Sequence, residues 1–251
     1  MVRKENKISF FPLLFSLLLL FCGVLLSAAC TKKNAMGNTS STPTDTGMAT
    51  IIGSKKYLAL GDSYTIGTSV SETDRYPVQT VSLLKAEGIN IGLDVIATNG
   101  WTTGDLLNAT KDRPVTNDYD VVSLLIGVNN QYQGRTLDEY REQFTTLIKR
   151  SIDLAGGKAS HVIVISIPDW SVTPFADGRN KAEIAAEIDT FNEANKKIAD
   201  NYKVNYLYIT DDSRKAATDR SLIASDGLHF SGKEYSVWSY KLAPMIKSAL
   251  Q

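Results

Sequence analysis

The chain has 251 residues, of which 43% are hydrophobic and 22% are charged, and these values are ordinary for a soluble globular protein. Lysine and arginine together number 27, as do aspartate and glutamate, so the formal net charge is zero. This balance, with no basic stripe and no acidic tail, argues against nucleic acid as a partner and favours a small neutral or polar substrate.

The N-terminal segment has the pattern of an export signal. Basic residues at positions 3, 4 and 7 precede an apolar stretch over 13–26, which ends in Ser27, Ala28, Ala29 and Cys30. Small residues before a cysteine are typical of a bacterial lipoprotein signal, although Ser27 stands where leucine is usual. We expect residues 1–29 to be the signal and Cys30 to carry a lipid that anchors the protein in the cell envelope. Ordinary cleavage to a secreted or periplasmic protein and an uncleaved anchor helix are the alternatives.

Residues 30–50 are rich in serine, threonine and glycine, which predicts a flexible tether before one domain at 51–251. The chain has only two cysteines, Cys22 in the signal and Cys30 at its end. The domain therefore has no thiol for a disulfide, a cysteine metal site or a cysteine nucleophile. No spacing typical of metal ligands is present either, and we expect no cofactor.

Short apolar or β-branched runs alternate with amphipathic stretches along the domain. The runs lie at 56–60, 92–97, 121–126, 161–167 and 205–209. This alternation predicts a five-stranded, mainly parallel sheet in a three-layer α/β/α sandwich. Capping boxes predict the starts of two helices, one from Thr136 with Glu139 and the last from Ser231 with Glu234.

Polar residues that can carry chemistry follow the predicted strands. Ser63 follows the first strand, Gly104 the second and Asn129 the third, and Asp226 and His229 follow the fifth. The carboxyl ends of parallel strands emerge at one edge of an open sheet, where ligands bind. Residues that are far apart in sequence are therefore expected to meet there.

These residue types suit nucleophilic catalysis. A serine hydroxyl needs a base, and the imidazole of His229 is well matched to that task, while Asp226 is close enough in sequence to orient it. Backbone N–H groups at the glycine-containing turns and the Asn129 amide could donate to an oxyanion. Each segment alone has a simpler interpretation, because Ser63 could be only a helix N-cap and 226–229 only a turn.

Four segments in this order resemble the motif blocks of the SGNH hydrolases, also called GDSL esterases and lipases. They are Gly-Asp-Ser-Tyr at 61–64, Thr-Gly-Asp at 103–105, Gly-Val-Asn-Asn at 127–130 and Asp-Gly-Leu-His at 226–229. The resemblance spans nearly all of 56–250 and implies a flavodoxin-like fold.

The resemblance also implies roles for individual residues. Ser63 would be the nucleophile, His229 the base and Asp226 its orienting acid. The oxyanion hole would comprise the Ser63 N–H, the Gly104 N–H and the Asn129 side chain.

The sequence departs from the family pattern at three positions. Tyr64 replaces the leucine of the GDSL name, Asn130 replaces an aspartate, for which we expect a structural amide, and Phe230 stands where proline is frequent. Four other residues could either wall a substrate pocket or pack beneath a loop: Trp101, Tyr132, Trp170 and Phe175.

The function expected from these residues is that of a monomeric serine ester hydrolase that works through an acyl-enzyme. The short loops expected at the sheet edge favour a small-molecule or glycan substrate with short-chain or carbohydrate-borne acyl esters, such as acetyl esters. Action on lipid acyl chains, as a lysophospholipase or thioesterase, is the alternative within enzymes. A non-catalytic glycan-binding surface lipoprotein is the alternative of another class.

Overall fold

A computed structural model describes residues 55–111 and 119–251 of the chain. The expected signal, the predicted lipidation site Cys30, the predicted tether and the first residues of the expected domain lie outside these residues. Within them the chain forms one five-stranded sheet, in the order β2-β1-β3-β4-β5, in which every pairing is parallel. The predicted α/β fold is confirmed, and the sheet described is parallel throughout.

The strands lie close to their predicted positions. They are β1 Lys55–Gly61, β2 Ile91–Ala97, β3 Val121–Leu125, β4 Val162–Ile165 and β5 Asn205–Leu207. β3 and β4 are buried along their whole length, as is β1 from its third residue, because helices cover both faces of the sheet. β2 is an edge strand and mixes buried with exposed positions. The continuous apolar runs in the sequence therefore mark the sheet centre.

Eight α-helices surround the sheet in the described residues. They are α1 Ser63–Ile66, α2 Tyr76–Ala86, α3 Thr103–Lys111, α4 Val128–Tyr132, α5 Leu137–Leu154, α6 Lys181–Asn201, α7 Thr210–Arg214 and α8 Gly232–Ala249. α2 packs on α8, whereas α5 packs on α3 and α6. Right-handed crossovers place these two groups on opposite faces of the sheet. Over 55–111 and 119–251, no helix combines the length and apolarity needed to cross a membrane.

The chain reverses its winding direction between β1 and β3. The connection after β1 leads to β2 on one side, and the connection after β2 returns across β1 to β3. Open α/β sheets bind ligands at such a switch point, outside the carboxyl ends of the strands. The segments that follow β1 and β3 are α1 and α4, and they contain Ser63 and Asn129.

The two predicted capping boxes have different outcomes. Thr136 Oγ1 accepts from the Glu139 N–H at 3.2 Å, so α5 has the predicted N-cap. The Ser231 box is wrong, although α8 begins where expected. Ser231 Oγ donates to the Ser221 carbonyl at 2.7 Å, and Glu234 accepts from Trp238 Nε1. Ser231 is used in a contact with another segment and Glu234 in a contact further along α8, so neither side chain caps the helix end.

Candidate active site

The turn after β1 presents Ser63 as the first residue of α1. A side chain at Gly61 would place its Cβ 2.0 Å from Thr65 Oγ1, so this turn requires glycine. Asp62, not Ser63, is the N-cap, because its Oδ1 accepts from the Tyr64 N–H at 3.0 Å. The alternative in which Ser63 serves only as a helix cap is therefore wrong, and its hydroxyl is not used for capping.

The loop at 226–229 holds the imidazole of His229 against a carboxylate. Nδ1 of His229 lies 2.5 Å from Asp226 Oδ2. Asp226 Oδ1 accepts from the backbone N–H groups of Leu228 and His229, both at 2.9 Å, and Ser69 Oγ donates to Oδ2 at 2.7 Å. The segment is thus more than a turn, because its carboxylate and imidazole face each other.

The electrostatics of this pair define which imidazole nitrogen is free. Partial burial alone would raise the pKa of Asp226, but the hydrogen bonds from Ser69, His229 and two backbone N–H groups hold it well below its usual range. An ionised carboxylate only accepts hydrogen bonds, so His229 Nδ1 carries the proton. This assignment leaves Nε2 as the basic nitrogen of the neutral ring.

Two of the three predicted oxyanion donors, those of Gly104 and Asn129, lie near the starts of α3 and α4. Asn129 is in α4, and its Nδ2 donates to the Trp101 carbonyl at 2.9 Å. Gly104 is in the first turn of α3, where N–H groups have no acceptor within the helix. The contribution of Trp101 comes from its backbone, because its carbonyl accepts the hydrogen bond that orients the Asn129 amide.

Asn130 joins the two helices that contain these donors. It is fully buried; its Oδ1 accepts from the Thr103 N–H at 2.9 Å and its Nδ2 donates to Thr103 Oγ1 at 2.8 Å. Thr103 is the first residue of α3, directly before Gly104. The amide therefore ties the start of α3 to α4, in agreement with the structural role expected for it, and an aspartate could not donate the second bond.

A cavity of about 130 Å³ lies at this edge of the sheet. Three of the five predicted site residues line it: Ser63, Asn129 and His229. Asp226 contacts the cavity only through His229, and Gly104 is not among the lining residues. The structure thus brings the predicted nucleophile and base to one small cavity, with Asp226 behind the base.

Three aromatic side chains also line the cavity: Tyr132, Trp170 and Phe175. Trp170 is buried, and its Nε1 donates to Gln131 Oε1 at 2.8 Å. Tyr132 and Phe175 are 47% and 38% exposed. The three rings contact one another at centroid separations of 5.6–6.1 Å. These residues, whose role the sequence left open, therefore face the cavity.

The other two departures from the family pattern lie beside the predicted base, His229. Tyr64 is buried, and its ring centroid lies 5.6 Å from that of His229 in an edge-on arrangement. Phe230 is also buried and packs 5.9 Å from the Tyr64 ring. The aromatic replacements therefore form a packed layer against the imidazole.

Sequence reasoning missed three residues near the cavity. Ser69 contacts Asp226 across 157 positions, and no local pattern marks it. Asn99 lines the cavity, and its place in the loop after β2 was an available signal. The guanidinium carbon of Arg179 lies 4.9 Å from the Phe175 ring centroid and 5.5 Å from those of Tyr132 and Trp170.

No group of three or more His, Cys, Asp or Glu in the described ranges is arranged to hold a metal.

Comparisons with known proteins agree with the fold and the motifs. Residues 59–237 match the GDSL-like Lipase/Acylhydrolase family. Similar solved structures include a lipase/acylhydrolase from Enterococcus faecalis, with 18% identity and a TM-score of 0.63 over 78% of this chain and 97% of that one.

An acetylxylan esterase from Geobacillus stearothermophilus is also similar, with 19% identity and a TM-score of 0.58 over 80% of this chain and 96% of that one. At these identities the structural likeness shows the fold alone. No curated protein sequence gives a significant match. The family match covers most of the chain, and the protein is therefore a member of the GDSL-like lipase/acylhydrolase family and an ester hydrolase.

Proposed function

We propose that this protein is a serine esterase that acts through an acyl-enzyme on short-chain or carbohydrate-borne acyl esters, such as acetyl esters. The observation that carries the proposal is one cavity of about 130 Å³ that Ser63 and His229 share with Asn129. Asp226 lies 2.5 Å behind His229 Nδ1, which leaves Nε2 free to act as the base.

In the first half of the reaction, Ser63 Oγ attacks the carbonyl carbon of the ester and its proton passes to His229 Nε2. The negative charge on the carbonyl oxygen is stabilised by the N–H groups of Ser63 and Gly104 and by the Asn129 amide. His229 then returns the proton to the leaving alcohol. An acyl group on Ser63 remains.

In the second half, water attacks the acyl group while His229 takes one of its protons. As the second tetrahedral intermediate collapses, His229 returns this proton to Ser63 Oγ, which releases the carboxylic acid and restores the Ser63 hydroxyl. Asp226 stays ionised throughout and stabilises the imidazolium that forms in each half.

The size and walls of the cavity support a short acyl group. Its volume is below the roughly 300–1,000 Å³ that drug-sized ligands occupy. The exposed rings of Tyr132 and Phe175 offer flat aromatic faces to a sugar that carries the ester. The similar acetylxylan esterase acts, by its name, on an acetylated glycan.

A panel of esters tests this proposal. We expect the protein to hydrolyse nitrophenyl acetate and acetylated xylan faster than nitrophenyl palmitate or lysophosphatidylcholine. Ser63→Ala should lose at least about 1,000-fold in kcat. Ser82→Ala, which removes an exposed hydroxyl on α2, should retain full activity. Retained turnover in Ser63→Ala would overturn the assigned nucleophile, and preference for palmitoyl or lysophospholipid substrates would support the lipid alternative instead.

Covalent labelling gives an independent test of the same serine. An ethyl phosphonate with a good leaving group should add one phosphonyl group to the protein and inactivate it. Peptide mass mapping should find the group on Ser63, and Ser63→Ala should remain unlabelled. Labelling at another serine with loss of activity would contradict the proposal.

We also propose that the protein is a monomer, exported and anchored in the cell envelope through a lipid on Cys30. The support comes from the sequence of the N-terminal segment. Metabolic labelling with an alkyne fatty acid should mark the full chain, and Cys30→Ser should abolish the label and release the protein from membranes. Cys22→Ser is the matched control and should leave labelling unchanged.

A further inference from the structure

We propose that Ser69 is a positioning residue for the catalytic base, because its hydroxyl holds the Asp226 carboxylate in the orientation that His229 requires. The proposal rests on the roles proposed for Ser63, Asp226 and His229. It adds a fourth side chain to the machinery, one that does not touch the substrate.

The backbone at Ser69 is in a conformation that serine rarely adopts. Its φ is 66°, in the left-handed region, where a Cβ is disfavoured and glycine is the usual residue. Lys203, at 56°, is the other residue besides glycine with positive φ in the described part of the chain. Such a conformation persists when surrounding contacts compensate for it, and it is frequent at functional sites.

The contact made by this residue is directed at the proposed triad. Ser69 Oγ donates to Asp226 Oδ2 at 2.7 Å, the same oxygen that faces His229 Nδ1 at 2.5 Å. The other oxygen, Oδ1, is occupied by the N–H groups of Leu228 and His229. Among the hydrogen bonds described for this carboxylate, the one from Ser69 alone comes from outside the 226–229 loop.

This bond connects two segments whose relative position the reaction depends on. Ser69 lies in the loop directly after α1, six positions beyond Ser63. Asp226 and His229 lie in a loop 157 positions further along the chain. The Ser69 hydroxyl therefore ties the segment of the nucleophile to the loop of the base. A small displacement of the base is costly, because about 1 Å of misplacement can reduce the rate about 100-fold.

Loss of the Ser69 hydroxyl should shift the pH dependence of catalysis in one defined direction. The hydrogen bond from Ser69 helps to keep the pKa of Asp226 low, so its removal should raise the pKa of this carboxyl, which must be ionised to hold the base. Other titratable groups near the pair are Tyr64, which contacts His229, and Asp62 and Asp169, whose charges act on Tyr64. None of these three is altered in the variants below.

Two substitutions separate the hydroxyl from the backbone strain. Ser69→Ala removes the hydroxyl and keeps a Cβ at positive φ, whereas Ser69→Gly removes both. We expect both variants to lose about 10- to 100-fold in kcat on nitrophenyl acetate with little change in KM. The acid limb of their kcat/KM profiles should move to higher pH, while Ser69→Gly should melt at a higher temperature than Ser69→Ala. Lys203→Gly relieves the same strain at the end of α6 and should leave kcat and the pH profile unchanged.

Either of two results would overturn the proposal. Wild-type kcat and pH profile in Ser69→Gly would mean that the hydroxyl has no role in positioning. If kcat falls in Ser69→Ala but stays at the wild-type value in Ser69→Gly, the effect comes from backbone strain and not from the hydroxyl. Ser63→Ala, assayed in parallel, distinguishes this failure from a failure of the proposed function: only the latter predicts that Ser63→Ala retains activity.

Discussion

The two sides of the cavity are held by different kinds of interaction. On the base side, Asp226 receives four hydrogen bonds at 2.5–2.9 Å, two from backbone N–H groups and two from side chains. On the aromatic side, the side chains of Tyr132 and Phe175 are held by ring contacts and by the guanidinium of Arg179. Hydrogen bonds fix direction, whereas ring contacts tolerate changes of shape. The base side can therefore stay constant while the aromatic side adapts to a substrate.

The largest effect is expected from the carboxylate at the centre of the base side. Asp226→Asn keeps the shape but places an amide against Nδ1, which favours the wrong tautomer of His229. We expect a loss of about 10,000-fold in kcat, measured on nitrophenyl acetate. Asp219→Asn, in an exposed turn where the carboxylate also accepts from backbone, is the matched control and should be fully active. If kcat of Asp226→Asn falls by less than 10-fold, the base side does not depend on its hydrogen bonds in the way that sets it apart from the aromatic side.

Adjacent asparagines test whether chemistry and structure are separated within α4. Asn129→Ala should lose about 100- to 1,000-fold in kcat with little change in KM, because an oxyanion donor acts mainly in the transition state. Asn130→Ala leaves the buried Thr103 N–H without its acceptor and should lower the free energy of unfolding by about 1–3 kcal/mol. Urea denaturation measures the second effect. An unchanged unfolding midpoint in Asn130→Ala would contradict its structural role.

Smaller effects are expected on the aromatic side. Tyr132→Ala and Phe175→Ala should raise KM for acetylated xylan about 2- to 10-fold, which is the contribution of one ring contact. Their kcat on nitrophenyl acetate should stay close to that of the wild type. Tyr240→Ala removes a tyrosine that is 66% exposed on α8 and serves as the control. Equal losses on both substrates would show that this wall supports the machinery and not substrate choice.

One carboxyl group beside the nucleophile is incompletely bonded, and its effect should be on stability. Burial raises the pKa of Asp62 to about 7, and its Oδ2 has no hydrogen-bond partner. Since the folded state holds this proton more tightly than the unfolded state, its contribution to stability is complete below about pH 4 and is lost as pH rises to about 7. Asp62→Asn should remove a slope of up to about 1.4 kcal/mol per pH unit in this window. Denaturation of both proteins between pH 4 and 8 measures the difference, and parallel curves would contradict it.

Much of the fold was predictable because its signals are local. The apolar runs that marked β1, β3 and β4 are buried on both faces in the structure, and burial of this kind requires continuous apolar sequence. The strand ends then predicted which edge of the sheet would contain Ser63 and Asn129. A prediction failed where a polar side chain had several possible partners, because Ser231 bonds the Ser221 carbonyl instead of its own helix.

The sequence by itself determined the family, the order of the elements and the pairing of Asp226 with His229, because each depends on short spacings along the chain. Tertiary structure alone decided that Ser69 bonds Asp226 and that Tyr132, Trp170 and Phe175 line one wall of the cavity. Side-chain contacts over long sequence separations depend on how helices and loops pack on the sheet. Local propensity contains no information about that packing. The residues that surround the predicted catalytic groups are therefore identified only in the folded protein.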